Sequence, residues 1–264
     1  KALTLASTAT ANKVYDGTTT LSNDQINYEL SGVVNRNGTR DAVSVSATNL
    51  VAKTANLNAG STTFTGTGTF TLAGADQGNY ILSAGSVVSG TATINKKELA
   101  LTITGSKVYD ATRDLGNATV AVTNAVGVDD VRVGFTGNAA NAFDNKNVGT
   151  AKTLTVSGSN NLTLSGASAG NYQLAATYNG TGGSITKKDV VLSGISTVDR
   201  DYDATLTVAM SGAPSVAAFA GDTVSFVGSA TGNMFDKNAG LAKKVVVSGI
   251  SLGSGDDSGN YNLL

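Results

Sequence analysis

Asp76-Gln77-Gly78-Asn79-Tyr80 and Asp257-Ser258-Gly259-Asn260-Tyr261 share the spacing Asp-x-Gly-Asn-Tyr, and Gly170-Asn171-Tyr172 between them repeats it with Ser168 in place of the aspartate. The three tyrosines are 92 and 89 residues apart. Working outward, a second landmark keeps the same period: Val14-Tyr15-Asp16-Gly17-Thr18, Val108-Tyr109-Asp110-Ala111-Thr112 and Asp201-Tyr202-Asp203-Ala204-Thr205 are 94 and 93 residues apart. A third, Asn58-Ala59-Gly60, Asn147-Val148-Gly149 and Asn238-Ala239-Gly240, recurs at 89 and 91. Three landmarks in fixed order at one period define tandem units. Each unit is long enough to close a core of its own, which makes it a domain and not a solenoid turn.

Lysine pairs mark the joints, Lys96-Lys97 and Lys187-Lys188, each followed by an acid, Glu98 or Asp189. They divide the chain into residues 1–97, 98–188 and 189–264, and the joints read as short solvated linkers whose charge discourages edge pairing. Only Asn262, Leu263 and Leu264 follow Tyr261, so the third unit is expected to lack its last strand.

Period-two alternation dominates inside each unit, as in Leu99-Ala100-Leu101-Thr102-Ile103-Thr104 and Thr91-Ala92-Thr93-Ile94, with one apolar face and one of Thr or Ser. Gly, Asn, Asp and Ser clusters separate these runs, including Asn37-Gly38 and Asn179-Gly180. The acidic residues are 17 aspartates against two glutamates, Glu29 and Glu98, a usage suited to turns and caps. Val216-Ala217-Ala218-Phe219-Ala220 is the one stretch that reads as a short helical turn. The chain is therefore expected to be all-β. The Asp-x-Gly-x-Tyr spacing resembles the tyrosine corner of immunoglobulin-like sandwiches, so the expected architecture is tandem immunoglobulin-like β-sandwich domains, about seven strands each, forming an extended rod.

Composition narrows the chemistry. Histidine, cysteine and tryptophan are all 0, which removes histidine bases, thiolate nucleophiles, disulfides and the commonest transition-metal ligands. A formal net charge of -1 provides no field that would recruit nucleic acid or an anionic membrane. No apolar run approaches the roughly 20 residues of a membrane span. The expectation is no enzyme activity, no nucleic-acid partner and no membrane insertion by this segment.

Taken together, the Lys-Val-Tyr-Asp-Gly element from Lys13, Gly221-Asp222-Thr223-Val224-Ser225, the Phe-Asp-(x)-Lys-Asn element at Phe143 and Phe235, Gly-Asn-Tyr and the Lys-Lys joint make the chain similar to the YDG-type repeat domains of filamentous-haemagglutinin-like adhesins of Gram-negative bacteria. The resemblance spans nearly all of the 264 residues. It implies a surface-exposed or secreted fibrous adhesin in which such domains build a stalk, with the remainder of a longer adhesin chain as partner. The first unit departs from the pattern with Thr54-Ala55-Asn56-Leu57-Asn58, and units two and three carry alanine after Tyr-Asp.

The repeated Tyr-Asp pairs, Tyr15 and Asp16, Tyr109 and Asp110, Tyr202 and Asp203, are the candidate ligand-binding residues. The rings would stack on a sugar and the carboxylates would accept its hydroxyls. The competing account makes the tyrosine a strand-end anchor and the aspartate a turn cap, and tandem folds repeat their anchors in every copy. Asp129-Asp130 and Asp256-Asp257 are adjacent acids, poorly placed for a catalytic couple because strand neighbours point to opposite faces. Such loops bind calcium at most, and no other cofactor is expected. The function expected is a structural stalk or spacer that holds a distal binding region away from the cell. The alternative is a module that binds glycan or a host surface protein through loops of each repeat.

Overall fold

The computed structural model describes residues 1–264, the side chain of Asp256 excepted. The fold is mostly β, with 53% of residues in strands and 6% in helix. Alternation writes the strands directly. Ala9–Val14 buries Ala9, Ala11 and Lys13 and exposes the residues between them, and Val88–Asn95 buries Val88, Ala92 and Ile94. Val216-Ala217-Ala218-Phe219-Ala220 is not helical. The Phe219 N–H is instead spent on the Tyr261 hydroxyl at 2.8 Å.

The chain forms two compact units, and their boundary runs through the middle repeat. Unit 1 contains Lys1–Leu101, Ala121–Gly134 and Leu162–Ala175; unit 2 contains Thr102–Val120, Phe135–Asn161 and Ala176–Leu264.

Unit 1 is built on a six-stranded sheet in the order Thr20–Leu21, Ser44–Thr54, Gly60–Ala73, Val88–Asn95, Ala9–Val14, Ile26–Asn27. All neighbours are antiparallel except Val88–Asn95 and Ala9–Val14, which run parallel from Gly90↔Ala9 to Asn95↔Val14. Its core packs Phe64 and Val88 among Ala9, Ala11, Ala52 and Ala92, so the backbones approach closely. In unit 2 the second repeat uses the same arrangement. Leu101–Val108 lies parallel to Thr177–Thr186, which is antiparallel to Gly149–Ser157. The third repeat contributes Thr207–Val208, Phe226–Met234 and Val245–Leu252 as one antiparallel sheet.

The lysine joints are strands and not linkers. Lys97–Glu98 pairs in parallel with Tyr172–Gln173, and Lys188–Val190 with Tyr261–Leu263, repeating the pairing of Ala2–Leu3 with Ile81–Leu82. The reason lies one residue beyond the charges: Leu3, Leu99 and Val190 are buried, and each anchors its strand. The tyrosine tie also differs from a local corner. The Tyr80 and Tyr172 hydroxyls accept from the N–H groups of Val34 and Val126, each 46 residues upstream, across the body of the repeat.

The tightest backbone approach in the sheet is at Gly90, where an added Cβ would lie 1.7 Å from the Ala9 carbonyl oxygen. Gly90→Ala is expected to cost about 3 kcal/mol by forcing the parallel pair apart. Urea unfolding of the variant would measure the loss directly.

Candidate functional site

The Tyr-Asp turn is assembled the same way three times. Asp16 Oδ1 accepts from the Thr18 N–H at 2.9 Å and the Thr18 hydroxyl at 3.0 Å, and Asp110 does the same with Thr112 at 2.9 and 2.8 Å. Asp203 holds Thr205 at 2.8 and 2.7 Å. A cation three residues before each aspartate completes the turn: Lys13 at 2.7 Å from Asp16, Lys107 at 2.6 Å from Asp110, and Arg200 paired with Asp203. Lys13 reaches its aspartate from a buried strand position and also donates to the Thr18 and Thr20 carbonyls. Burial works against ionisation of Asp16 and Asp110, but the lysine and threonine donors outweigh it and hold both carboxyls below their ordinary value. The Thr205 N–H, then its hydroxyl and Arg200, bring Asp203 down to about 2.

The residue after the aspartate is left-handed in every copy, with φ of 75° at Gly17, 62° at Ala111 and 64° at Ala204. Glycine suits that conformation and alanine is strained in it. Gly17 has a second reason to lack a side chain, because a Cβ there would lie 2.8 Å from Val126 Cγ1. Ala111→Gly is expected to raise stability by about 0.5 to 1 kcal/mol, and Gly17→Ala to lower it by more than that. Paired urea titrations would test both signs.

The turn aims its tyrosine at the next repeat. Within unit 1, the Tyr15 hydroxyl donates to Asp129 Oδ2 at 2.9 Å, and the same oxygen accepts from Tyr172 at 2.6 Å. The two rings meet edge to face with centroids 5.5 Å apart. Within unit 2 the pattern recurs: Tyr109 donates to Asp222 Oδ2 at 2.7 Å, Tyr261 donates to it at 2.6 Å, and the rings again meet edge to face at 5.5 Å. An asparagine pair brackets each clasp. Asn171 accepts from the Ala59 N–H at 2.8 Å and donates to Asn58 at 3.2 Å; Asn260 accepts from the Val148 N–H at 2.9 Å and donates to Asn147 at 3.1 Å.

The second clasp carries an additional cation. Lys146 Nζ lies 2.5 Å from Asp222 and 2.9 Å from Asp257. In the first clasp the corresponding positions hold Leu57 and Ser168, an uncharged set. The Asp222 side chain is 1% exposed, and its burial is outweighed by Lys146 and the two tyrosines, which keep it ionised and below its ordinary value. Asp129 is held low first by Tyr172, then by Tyr15. Burial, then the adjacent carboxylate, pushes Tyr109 and Tyr172 up to about 12.

These shifts fix the pH window. The depressed carboxylates contribute stability above the unfolded aspartate pKa of about 3.9, and that contribution disappears as pH falls below it. The raised tyrosines contribute stability below their ordinary 10.0 and lose it as pH climbs through about 12. Stability is therefore expected to be flat between about pH 5 and pH 9 and to fall on both sides. Urea midpoints across pH would show this, and Asp222→Asn should reduce the acid-side loss.

Of the residues singled out in the sequence, Tyr15 and Tyr109 are buried in the clasps, Asp16, Asp110 and Asp203 cap their turns, and Tyr202 is 61% exposed. The structure does not bring the six together. The acids that matter most are Asp41, Asp129 and Asp222, for which the available signal was an Asp-x-Val recurrence at 88 and 93 residues. The adjacent acids are divided in role: Asp130 pairs with Arg132 at 3.0 Å while Asp129 serves the clasp. Among the described residues no three His, Cys, Asp or Glu side chains gather as a metal-binding group.

A family model for the YDG domain matches residues 1–87, 95–180 and 186–264. The chain belongs to the YDG domain family. The three YDG domains begin and end close to the lysine joints; the first and second contribute their Tyr-Asp turns to the two clasps, and the second and third their Gly-Asn-Tyr elements. No curated protein and no solved structure matches the chain.

Proposed function

We propose that this run of YDG domains is a non-catalytic spacer in a large bacterial adhesin of the filamentous-haemagglutinin-like kind, surface-exposed or secreted, holding a distal binding region away from the cell. In this reading the domains are immunoglobulin-like sandwiches strung into an extended rod. The observation that carries it is the joint. A single residue, Lys96 or Lys187, separates the last strand of one domain from the first strand of the next. Each joint is then closed by a tyrosine–aspartate–tyrosine bridge and an asparagine pair. A flexible tether would leave successive domains free to reorient; a one-residue connection with three directed hydrogen bonds across it, donated by Tyr15, Ala59 and Asn171 at the first joint and by Tyr109, Val148 and Asn260 at the second, opposes bending. The parallel pairing of the second and last strands in the first two domains, Ala9–Val14 with Val88–Asn95 and Leu101–Val108 with Thr177–Thr186, supports load-bearing, because pulling along them shears several ladder bonds at once.

Small-angle scattering of the 264-residue chain is expected to give a distance distribution with the long tail of an elongated particle. A symmetric, compact distribution would overturn the spacer reading.

A further inference from the structure

One pair of positions changes its chemistry from copy to copy while keeping its place. Two residues before the landmark Asn58, Asn147 and Asn238 stand Asn56, Asn145 and Asp236, and five residues after it stand Thr63, Lys152 and Lys243. In the third copy Lys243 meets Asp236 as an ion pair. In the first copy Asn56 donates to the Thr62 hydroxyl at 3.1 Å, and Thr63 carries no amine. Of the three, the middle copy alone sets a lysine against a carboxamide.

That encounter is built in detail. The strand Gly149–Ser157 shifts register on both sides of Lys152, a bulge of the kind that re-aims a side chain, and the lysine side chain is 7% exposed. Its Nζ donates to Asn145 Oδ1 at 2.7 Å. The same oxygen accepts from the Asn147 N–H at 3.0 Å, so the carbonyl is polarised by a fixed backbone donor as well. Asp144 stands beside both nitrogens: its Oδ1 is 3.0 Å from Lys152 Nζ, and its Oδ2 accepts from Asn145 Nδ2 at 3.1 Å. Lys152 first, and the Asn145 N–H after it, keep this carboxyl ionised against the opposing effect of burial. An amine, an amide carbonyl, an oxyanion donor and a base that touches both the entering and the leaving nitrogen are therefore in place.

We propose that Lys152 and Asn145 join spontaneously in an isopeptide bond. Asp144 Oδ1 takes a proton from the Lys152 ammonium, and Nζ shifts from the carbonyl oxygen to Cγ, a move of about 1.2 Å, one C–O bond length. The Nζ–Cγ bond forms, the negative charge on Oδ1 rests against the Asn147 N–H, and Asp144 passes the two protons lost by Nζ to Nδ2 in turn. The Cγ–Nδ2 bond then breaks and the nitrogen leaves as ammonium. Nothing is oxidised or reduced, and Asp144 ends ionised as it began. Its side chain is 43% exposed, which gives the ammonium a way out to solvent. Fixed contact between amine and amide supplies the effective concentration that a single irreversible event needs. The bond would close the loop that carries Lys146 and Asn147 to Asp222, Asp257 and Asn260. It stands on the middle copy's own geometry, whether or not the chain is a spacer.

Mass spectrometry of the intact, denatured 264-residue chain is expected to fall short of the sequence mass by one ammonia, about 17 Da. Trypsin should then release a branched peptide joining Val133–Lys146 to Asn147–Lys187, uncut at Lys152. Lys152→Arg, which keeps the charge and removes the nucleophile, should restore the full mass with the circular dichroism unchanged. Asn145→Asp, which recreates the ion pair of the third copy, should do the same. Asp144→Asn should slow the appearance of the branched peptide by about a hundredfold. Full mass in the folded wild-type chain after prolonged incubation, or a missing ammonia that persists in Lys152→Arg or maps to another peptide, would overturn the proposal.

Discussion

One carboxylate oxygen accepting from two tyrosine hydroxyls is the constraint around which the molecule is organised. An ionised carboxylate offers several lone-pair directions and no competing donor, so it can satisfy two buried O–H groups at one point. Neither tyrosine could be buried at so little cost without it, since a buried hydroxyl lacking a partner forfeits its hydration for nothing in return. The two hydroxyls come from successive repeats: Tyr15 and Tyr172 on Asp129, Tyr109 and Tyr261 on Asp222. The compact units therefore follow the clasps and straddle the repeats.

The turn ahead of each clasp is the device that makes the geometry repeatable. The aspartate fixes the backbone through Thr18, Thr112 or Thr205, and the cation three residues earlier ties the turn to its own strand. That leaves the adjacent tyrosine at the end of a rigid strand, pointing away from the domain that carries it. Ala111 and Ala204 keep left-handed backbone where glycine would be easier, which shows how strongly the surrounding hydrogen bonds determine the turn.

Much of this was legible in the residues. The period, the β pattern, the turn caps and the structural weight of the Gly-Asn-Tyr tyrosines follow from local chemistry that each copy restates. The clasp itself was not legible, because its bonds join residues 114 and 113 positions apart and nothing local to Asp129 or Asp222 names a partner. Asp129 sits beside Asp130 and reads as one of a solvated pair. The lysine joints misled for a related reason: Lys97 and Glu98 look like linker residues, and the buried Leu99 that anchors their strand reads as the start of the alternating run that follows it. The Ala-rich stretch before Ala220 likewise resembles a helical turn until the Phe219 N–H is committed to Tyr261.

The two kinds of joint, one with Lys146 facing Asp257 and one with Leu57 facing Ser168, also bear on heredity. Tandem copies are prone to unequal exchange, which deletes or duplicates whole modules. An exchange that set Lys146 opposite Ser168, or Leu57 opposite Asp257, would strand a charge at a seam built for its complement. The two seams are therefore not interchangeable, and the order of the modules is fixed by the charge each one carries.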